Sequence, residues 1–274
     1  MDEQQFSHKQ ITKFGFYGLL KNLKFFEPYL LLYLIFAGVS YTHIGLLFAI
    51  REAIIYIFEI PSGVIADRFG KKNELVLSFM FYISSFIMFY VADSFFMFII
   101  PMVLFGFGEA FRSGTHKAMI MEYLDVHDVK TSKRKIYGLT RSYSNIGSTI
   151  SSIFGIVLIL FLPNLSFLFL IAIIPYVLDL LLILSYPEYL NQRVDSTFTW
   201  RGFLRENVNS IRYAFKTKKL TGYLVDSASF GAVFKTLKDY IQPLLYGAGI
   251  AFILIENQTL DINLKIYIGL KFLI

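Results

Sequence analysis

Long apolar runs separated by short polar breaks fill the first two thirds of the chain, at residues 14–37, 42–66, 75–92, 95–121, 136–161 and 166–186. Each is close to the ~17–25 residues with which an α-helix crosses the hydrocarbon of a bilayer. A seventh, more polar run occupies 220–245. The pattern predicts an all-α integral membrane protein with six spans and then a seventh. Residues 1–13 are polar, and no small-residue cleavage site follows the first run, so this stretch reads as a cytoplasmic tail and not a signal peptide. Between the sixth and seventh runs, Trp200, Phe203, Leu204, Val208, Ile211 and Phe215 recur at helical spacing, with Arg201, Arg205, Arg212 and Lys216 on the other faces. That is the pattern of a basic amphipathic helix lying at a membrane surface. The organisation expected is a tail at 1–13, a six-helix bundle at 14–186, a cytoplasmic linker at 187–219 and the start of a second, incomplete bundle at 220–274.

Composition agrees with lipid as the solvent. Of 274 residues, 55% are hydrophobic, 18% are aromatic and 30 are Phe, and the mean hydropathy is +0.57. A net charge of +6 would suggest nucleic acid in a soluble chain. Here the cations sit in alternate loops: Arg68, Lys71 and Lys72; Lys130, Lys133, Arg134 and Lys135; then the long linker. The intervening loops at 38–41, 91–94 and 162–165 carry no Lys or Arg. Basic residues concentrate on the cytoplasmic side, which places the N-terminus there, in a multi-pass protein of the plasma (inner) membrane. Nucleic acid is not an expected partner. With no cysteine, the chain has no disulfide framework, thiolate chemistry or Cys metal site.

Charges inside the apolar runs are the candidates for function, because one near the bilayer centre costs about 2.5–3.5 kcal/mol unless it has a partner or water. They are Lys21, Lys24 and Glu27 in the first run, Arg51, Glu52 and Glu59 in the second, Glu109, Arg112, His116 and Lys117 in the fourth, Arg141 in the fifth, Asp179 in the sixth, and Asp226, Lys235, Lys238 and Asp239 in the seventh. The third has none. Runs one, two, four, five and seven are thus expected to surround a polar interior, with three and six toward lipid. Glu109, Arg112 and His116 stand at i, i+3 and i+7, on one face of a continuous helix. Lys235 and Asp239 form an i, i+4 pair. These groups either hold a ligand or pair with one another to fix helix register. Lys21 and Arg141 read as near the cytoplasmic ends, where long side chains snorkel. His116 can carry a proton near neutral pH, and Glu59, ahead of Pro61, is the carboxyl expected to be buried without a cation. Gly147, Ser151 and Gly155 form a small-residue strip for close helix packing, and Pro61 and Pro175 are expected kinks.

Between the second and third runs stands Gly63-Val64-Ile65-Ala66-Asp67-Arg68-Phe69-Gly70-Lys71-Lys72. It resembles the loop of the major facilitator superfamily of secondary transporters, Gly-x-x-x-Asp-Arg-x-Gly-Arg/Lys-Arg/Lys, at every defined position. The resemblance covers about residues 14–245. It implies two six-helix halves around a central site, of which this chain supplies one half, the linker and one helix of the other. It also implies that Gly63 permits close helix packing, that Asp67 latches against the second half, and that Arg68 pairs with an acid at the cytoplasmic end of the fourth helix, where Glu122 stands. The drug/proton antiporter branch has a Gly-Pro-x-x-Gly-Gly element in its fifth helix that residues 144–155 lack, and an arginine where this chain has Met102. The resemblance therefore implies transport of small molecules by alternating access, with proton-coupled efflux as one form of it.

The substrate and coupling candidates are Glu27, Glu52, Glu59, Glu109, Arg112, His116, Lys235 and Asp239. No cofactor is expected beyond a proton gradient, and the expected partners are a small-molecule substrate and the bilayer. A full-length product is expected to act as a monomer, and a truncated one to need a partner chain or to be a non-transporting fragment. An intramembrane enzyme is the third class, for which the sequence offers only Ser113-Gly114-x-His116 on one helix, preceded by Arg112 and with no oxyanion hole in sight.

Overall fold

The computed structural model describes residues 8–127 and 133–191, together with scattered helical positions between 216 and 240. The amphipathic helix expected around 200–215, and Lys235 and Asp239 of the seventh run, lie outside the described residues. Eight α-helices make up the described bundle: α1 (His8–Lys21), α2 (Leu30–Phe36), α3 (Tyr41–Phe69), α4 (Lys71–Val91), α5 (Phe95–Arg112), α6 (Thr115–Val126), α7 (Lys133–Phe161) and α8 (Phe167–Leu184). Among the described residues, five stretches are long and apolar enough to cross a membrane: Tyr41–Glu59, Lys71–Val91, Phe95–Val126, Arg134–Ile159 and Phe167–Leu184.

Two of the expected spans are broken. The first, read as 14–37, begins earlier, at His8, and divides at residues 22–26 before a single 3-10 turn at Glu27–Tyr29 leads into α2. Pro28 favours the break: it has no N–H, its ring crowds the carbonyl four residues back, and it suits the first turn of a new helix, where it stands here. Asn22 closes α1 by donating its side-chain amide to the Gly18 carbonyl at 2.6 Å. The fourth, read as 95–121, divides at Ser113 and Gly114, where Gly114 has φ +77°. A left-handed residue cannot continue a right-handed helix. Pro61 and Pro175, expected as kinks, lie inside α3 and α8.

Helix α4 holds the bundle together, packing on α5 and on α8, while α3 leans on α5 and α1 on α7 and α8. Its inward residues Leu75, Phe79, Tyr82, Phe86 and Phe89 alternate spacings of four and three, the seam of ridges-into-grooves packing. Ser78 and Ser85 on the same face donate to the carbonyls of Gly108 (2.7 Å) and Pro101 (2.8 Å), tying α4 to α5 through backbone. The outward faces of α4 and α8 carry exposed Met80, Ile87, Ile174, Leu178 and Leu181, which suit lipid. Exposed residues of α7 are different: Ser142, Ser148, Thr149 and Ser152 face outward, each hydroxyl donating to the carbonyl four residues earlier. Small residues seat α1 against α7, since a Cβ at Gly147 would run into the Leu19 carbonyl.

Between α3 and α4 the chain turns on Gly70 at φ +96°. A Cβ there would also collide with the Asn191 side chain, which closes the 3-10 turn after α8 and lies 3.4 Å from the Asn73 N–H. We predict that Gly70→Ala costs about 1–3 kcal/mol from backbone strain alone, seen as a lower melting temperature of the detergent-solubilised protein, whereas Gly63→Ala, with nothing within 4 Å of its added Cβ, leaves it within a degree of wild type.

Candidate functional site

Near the midpoint of the 32-residue apolar stretch Phe95–Val126, the last turn of α5 places Glu109 and Arg112 side by side. The Arg112 guanidinium pairs with the Glu109 carboxylate, and its Nε donates to the Tyr82 hydroxyl of α4 at 3.0 Å. From the break after α1, Lys24 Nζ lies 3.4 Å from Glu109 and 3.5 Å from Glu27. Two cations and two carboxylates thus form one chain, Glu27–Lys24–Glu109–Arg112, ending on a tyrosine. The break in the first span is what brings Lys24 inward: its ammonium sits 5.9 Å over the Phe105 ring. The i, i+3 pairing of Glu109 and Arg112 is present, but His116 does not continue it. The turn at Gly114 puts His116 on α6, stacked on Tyr17 of α1 at 3.5 Å between centroids, with Nε2 3.4 Å from the Tyr186 hydroxyl.

Other expected site residues sit apart from this chain. Glu52 pairs with its neighbour Arg51 at 3.0 Å. Glu59, expected to be buried, is exposed on α3 and accepts from the Ser113 hydroxyl at 2.8 Å, which ties α3 to the break between α5 and α6. Lys21, expected to snorkel from a cytoplasmic end, closes the 14-residue α1, so at 1.5 Å per residue it stands about 20 Å from the start of that helix.

The hairpin motif also rearranges. Glu122 of α6 pairs with Lys71, not with Arg68. Arg68, on the last turn of α3, is exposed, with its guanidinium 5.5 Å from the Phe69 ring. Lys71 opens α4 just past the Gly70 turn, and α4 is the helix that packs against α6. Lys72 is bound to the far side, donating to the Tyr186 carbonyl at 2.8 Å and pairing with Glu188 at 3.3 Å. Gly63 has no close neighbour, so the packing role implied by the resemblance is not seen among the described residues. Asp67 is exposed on the same turn as Arg68.

Two groups, Glu74 and Tyr82, escaped the sequence reading, and a third, Asp179, was noted there only as the charge in the sixth run. Glu74, in the first turn of α4, is 1% exposed and accepts from the Thr115 hydroxyl at 2.7 Å, just past the α5/α6 break. Tyr82, partner of Arg112, belongs to the four-three stripe of α4, which was the available signal. Asp179 is fully buried, and neither of its oxygens has a hydrogen-bond partner among the described residues.

Residues 16–262 match the family model described as Major Facilitator Superfamily. The chain belongs to the major facilitator superfamily. Among curated relatives, the Bacillus subtilis (strain 168) protein named "Uncharacterized MFS-type transporter YxaM" is 25% identical over 227 residues, 82% of this chain and 55% of that protein. The chain therefore spans about half the length of that superfamily relative. Solved structures share the fold: the nucleoside transporter NupG, with TM-score 0.70 at 14% identity over 87% of this chain and 58% of the other, and a POT family transporter in complex with 5-aminolevulinic acid, with TM-score 0.60 at 18% identity over 90% and 52%. The superfamily's multi-pass membrane architecture follows from this membership.

Two tests arise from the geometry. Arg112→Gln leaves Glu109 with Lys24 but without its guanidinium and should destabilise by about 1.5–3 kcal/mol, the worth of a hydrogen bond to a charged group, while the double variant Glu109→Gln/Arg112→Gln recovers part of that loss in a thermal-denaturation assay. In the hairpin, a charge-swap of Lys71 and Glu122 should restore the melting temperature lost by either single reversal, and Arg68→Ala should leave it unchanged.

Proposed function

We propose that the chain forms the substrate-binding bundle of a secondary active transporter that moves a small molecule by alternating access, set in the plasma membrane with the N-terminus and the basic loops on the cytoplasmic face. One observation carries the reading: a charge-balanced chain, Glu27–Lys24–Glu109–Arg112, built near the middle of the apolar stretch and spanning three elements. Helix register alone could be set by packing, and polar groups at that depth mark a substrate or ion path. The exposed hydroxyls of α7 and the exposed Glu59 of α3 support a water-accessible passage beside it. Glu109 is the coupling group we favour, because a proton that neutralises it, or a substrate anion that takes over one of its two cations, redistributes the whole chain of pairs. Glu59, exposed beside the α5/α6 break, is the second carboxylate on the path, and His116 serves to pack α6 against α1. Efflux coupled to protons is the direction we propose, with a carboxylate, Glu109, as the group that would exchange a proton for substrate. Asp67 and Arg68, both exposed, are left to meet the second half of the transporter, which would be supplied in the same product or by a partner chain.

The test uses inverted membrane vesicles containing the full gene product, energised to an acid interior and followed with a ΔpH-sensitive dye. Some member of a small-molecule panel should collapse the gradient in wild-type vesicles, and Glu109→Gln at equal membrane abundance should reduce that response at least tenfold. A full response in the Glu109→Gln vesicles would remove Glu109 from coupling. Uptake of a radiolabelled responder with no gradient change would leave transport standing and overturn its proton coupling.

A further inference from the structure

A cavity of about 160 Å3 lies between α1, α6 and α7, next to the charge chain but outside it. Lys21, Arg112, His116, Lys117 and Arg141 contribute to its walls, and among the described residues no Asp or Glu does. The cations come from three sides: Lys21 from the end of α1, Arg112 and Lys117 from either side of the α5/α6 break, and Arg141 from α7. Arg112 is committed to Glu109 and Tyr82. Lys21, Lys117 and Arg141 pair with no carboxylate among the described residues. Lys117 lies 5.4 Å from the face of Tyr137, which leaves its ammonium free to donate. The carboxylates that act on Lys21, Glu109 and Asp179, stand behind the wall and not on it.

Two hydroxyls of this cavity are committed to backbone: Thr140 donates to the Tyr137 carbonyl at 2.9 Å and Ser144 to the Thr140 carbonyl at 3.2 Å. The cationic side chains are therefore its charged donors, with the Tyr17 hydroxyl, which has no partner among the described residues, beside them. Like charges gathered around one cleft repel one another until an anion enters, and a guanidinium with two ammonium groups can hold a carboxylate or phosphate with charge-assisted bonds. At roughly 30 Å3 per water, the space equals about five waters, enough for such a group and a few attached carbons. Close approach of α1 to α7 fixes its floor: a Cβ at Gly18 would lie 2.5 Å from Ser144 Oγ and 3.1 Å from the Thr140 carbonyl oxygen.

We propose that this cavity is an anion subsite, in which Lys21, Lys117 and Arg141 hold the carboxylate or phosphate group of the small molecule that the protein moves. It rests on the transporter reading for the fate of the ligand, though not for its binding. The sugar or other neutral substrate that the charge chain alone would permit is disfavoured by these walls.

The test is binding to the purified full chain in lipid nanodiscs, by isothermal titration at constant ionic strength. The probes are inorganic phosphate, benzoate, benzyl alcohol and benzylamine. Phosphate or benzoate should bind while benzyl alcohol and benzylamine do not, and the stronger of the two anions identifies the source chemistry. Arg141→Gln, on an exposed face where folding is not at stake, should weaken that anion at least tenfold, and Lys21→Gln likewise. Lys9→Gln, exposed three turns earlier on α1, should leave it unchanged. Equal binding of benzyl alcohol, or wild-type anion affinity in both Arg141→Gln and Lys21→Gln, overturns the proposal. Anion binding that survives in a protein showing no transport would overturn the transporter reading and leave the subsite standing.

Discussion

Placing ionised groups where water is scarce is the constraint on which the rest of this bundle depends. Glu109 and Arg112 could each be expensive at that depth, and the fold meets the cost by three routes at once. The two sit a turn apart on one helix, Lys24 is drawn in by the interruption of the first span, and Tyr82 supplies a neutral acceptor from α4. Remove the interruption at Pro28 and Lys24 would follow a straight helix, with its ammonium no longer steered to Glu109. Backbone irregularity and electrostatic balance are therefore one feature, in keeping with the rule that irregular backbone within a membrane is tolerated where it is buried in protein or lines a polar space.

The same logic explains how the hairpin is wired. Gly70 reverses the chain so tightly that its neighbours diverge: Arg68 is left outside and Lys71 is turned toward α6. The motif then divides into an inner part, Lys71 with Glu122 and Lys72 with Tyr186 and Glu188, that fastens the basic ends of α4, α6 and the segment after α8, and an outer part, Asp67 and Arg68, that is exposed on one turn. Glu74, one turn into α4, adds a buried tie to Thr115 at the start of α6. The interrupted fourth span is thus tied on its basic side to α4 by two side-chain contacts, Lys71 with Glu122 and Thr115 with Glu74.

Spans were legible in the sequence because apolar runs of sufficient length have only one comfortable solvent, and the family was legible because six defined positions of one loop coincide. What misled was the assumption of continuity. Hydropathy does not register a break of two residues, so Ser113 and Gly114 passed as helix and His116 was placed on the face of Glu109. The polar first turns of α1, with Lys9, Gln10 and Lys13, lowered the hydropathy enough to shift the apparent start of the first span to residue 14, and this misplaced Lys21 at an end. Glu59 looked buried because burial of a helix face depends on its neighbours, and α3 turns that face outward. Arg68 against Lys71 for Glu122 was a choice between residues three apart, decided by a turn that spacing alone does not describe.

Along α7, Ser142, Ser148, Thr149 and Ser152 give their protons to their own helix. A surface so arranged is polar in composition yet nearly silent as a donor. Water leaving it breaks few strong bonds, and a facing helix arriving need not supply matching acceptors. Such a wall can be wetted and dried repeatedly at small cost, and it can slide past a neighbour without stepping from one fixed hydrogen-bond register to the next.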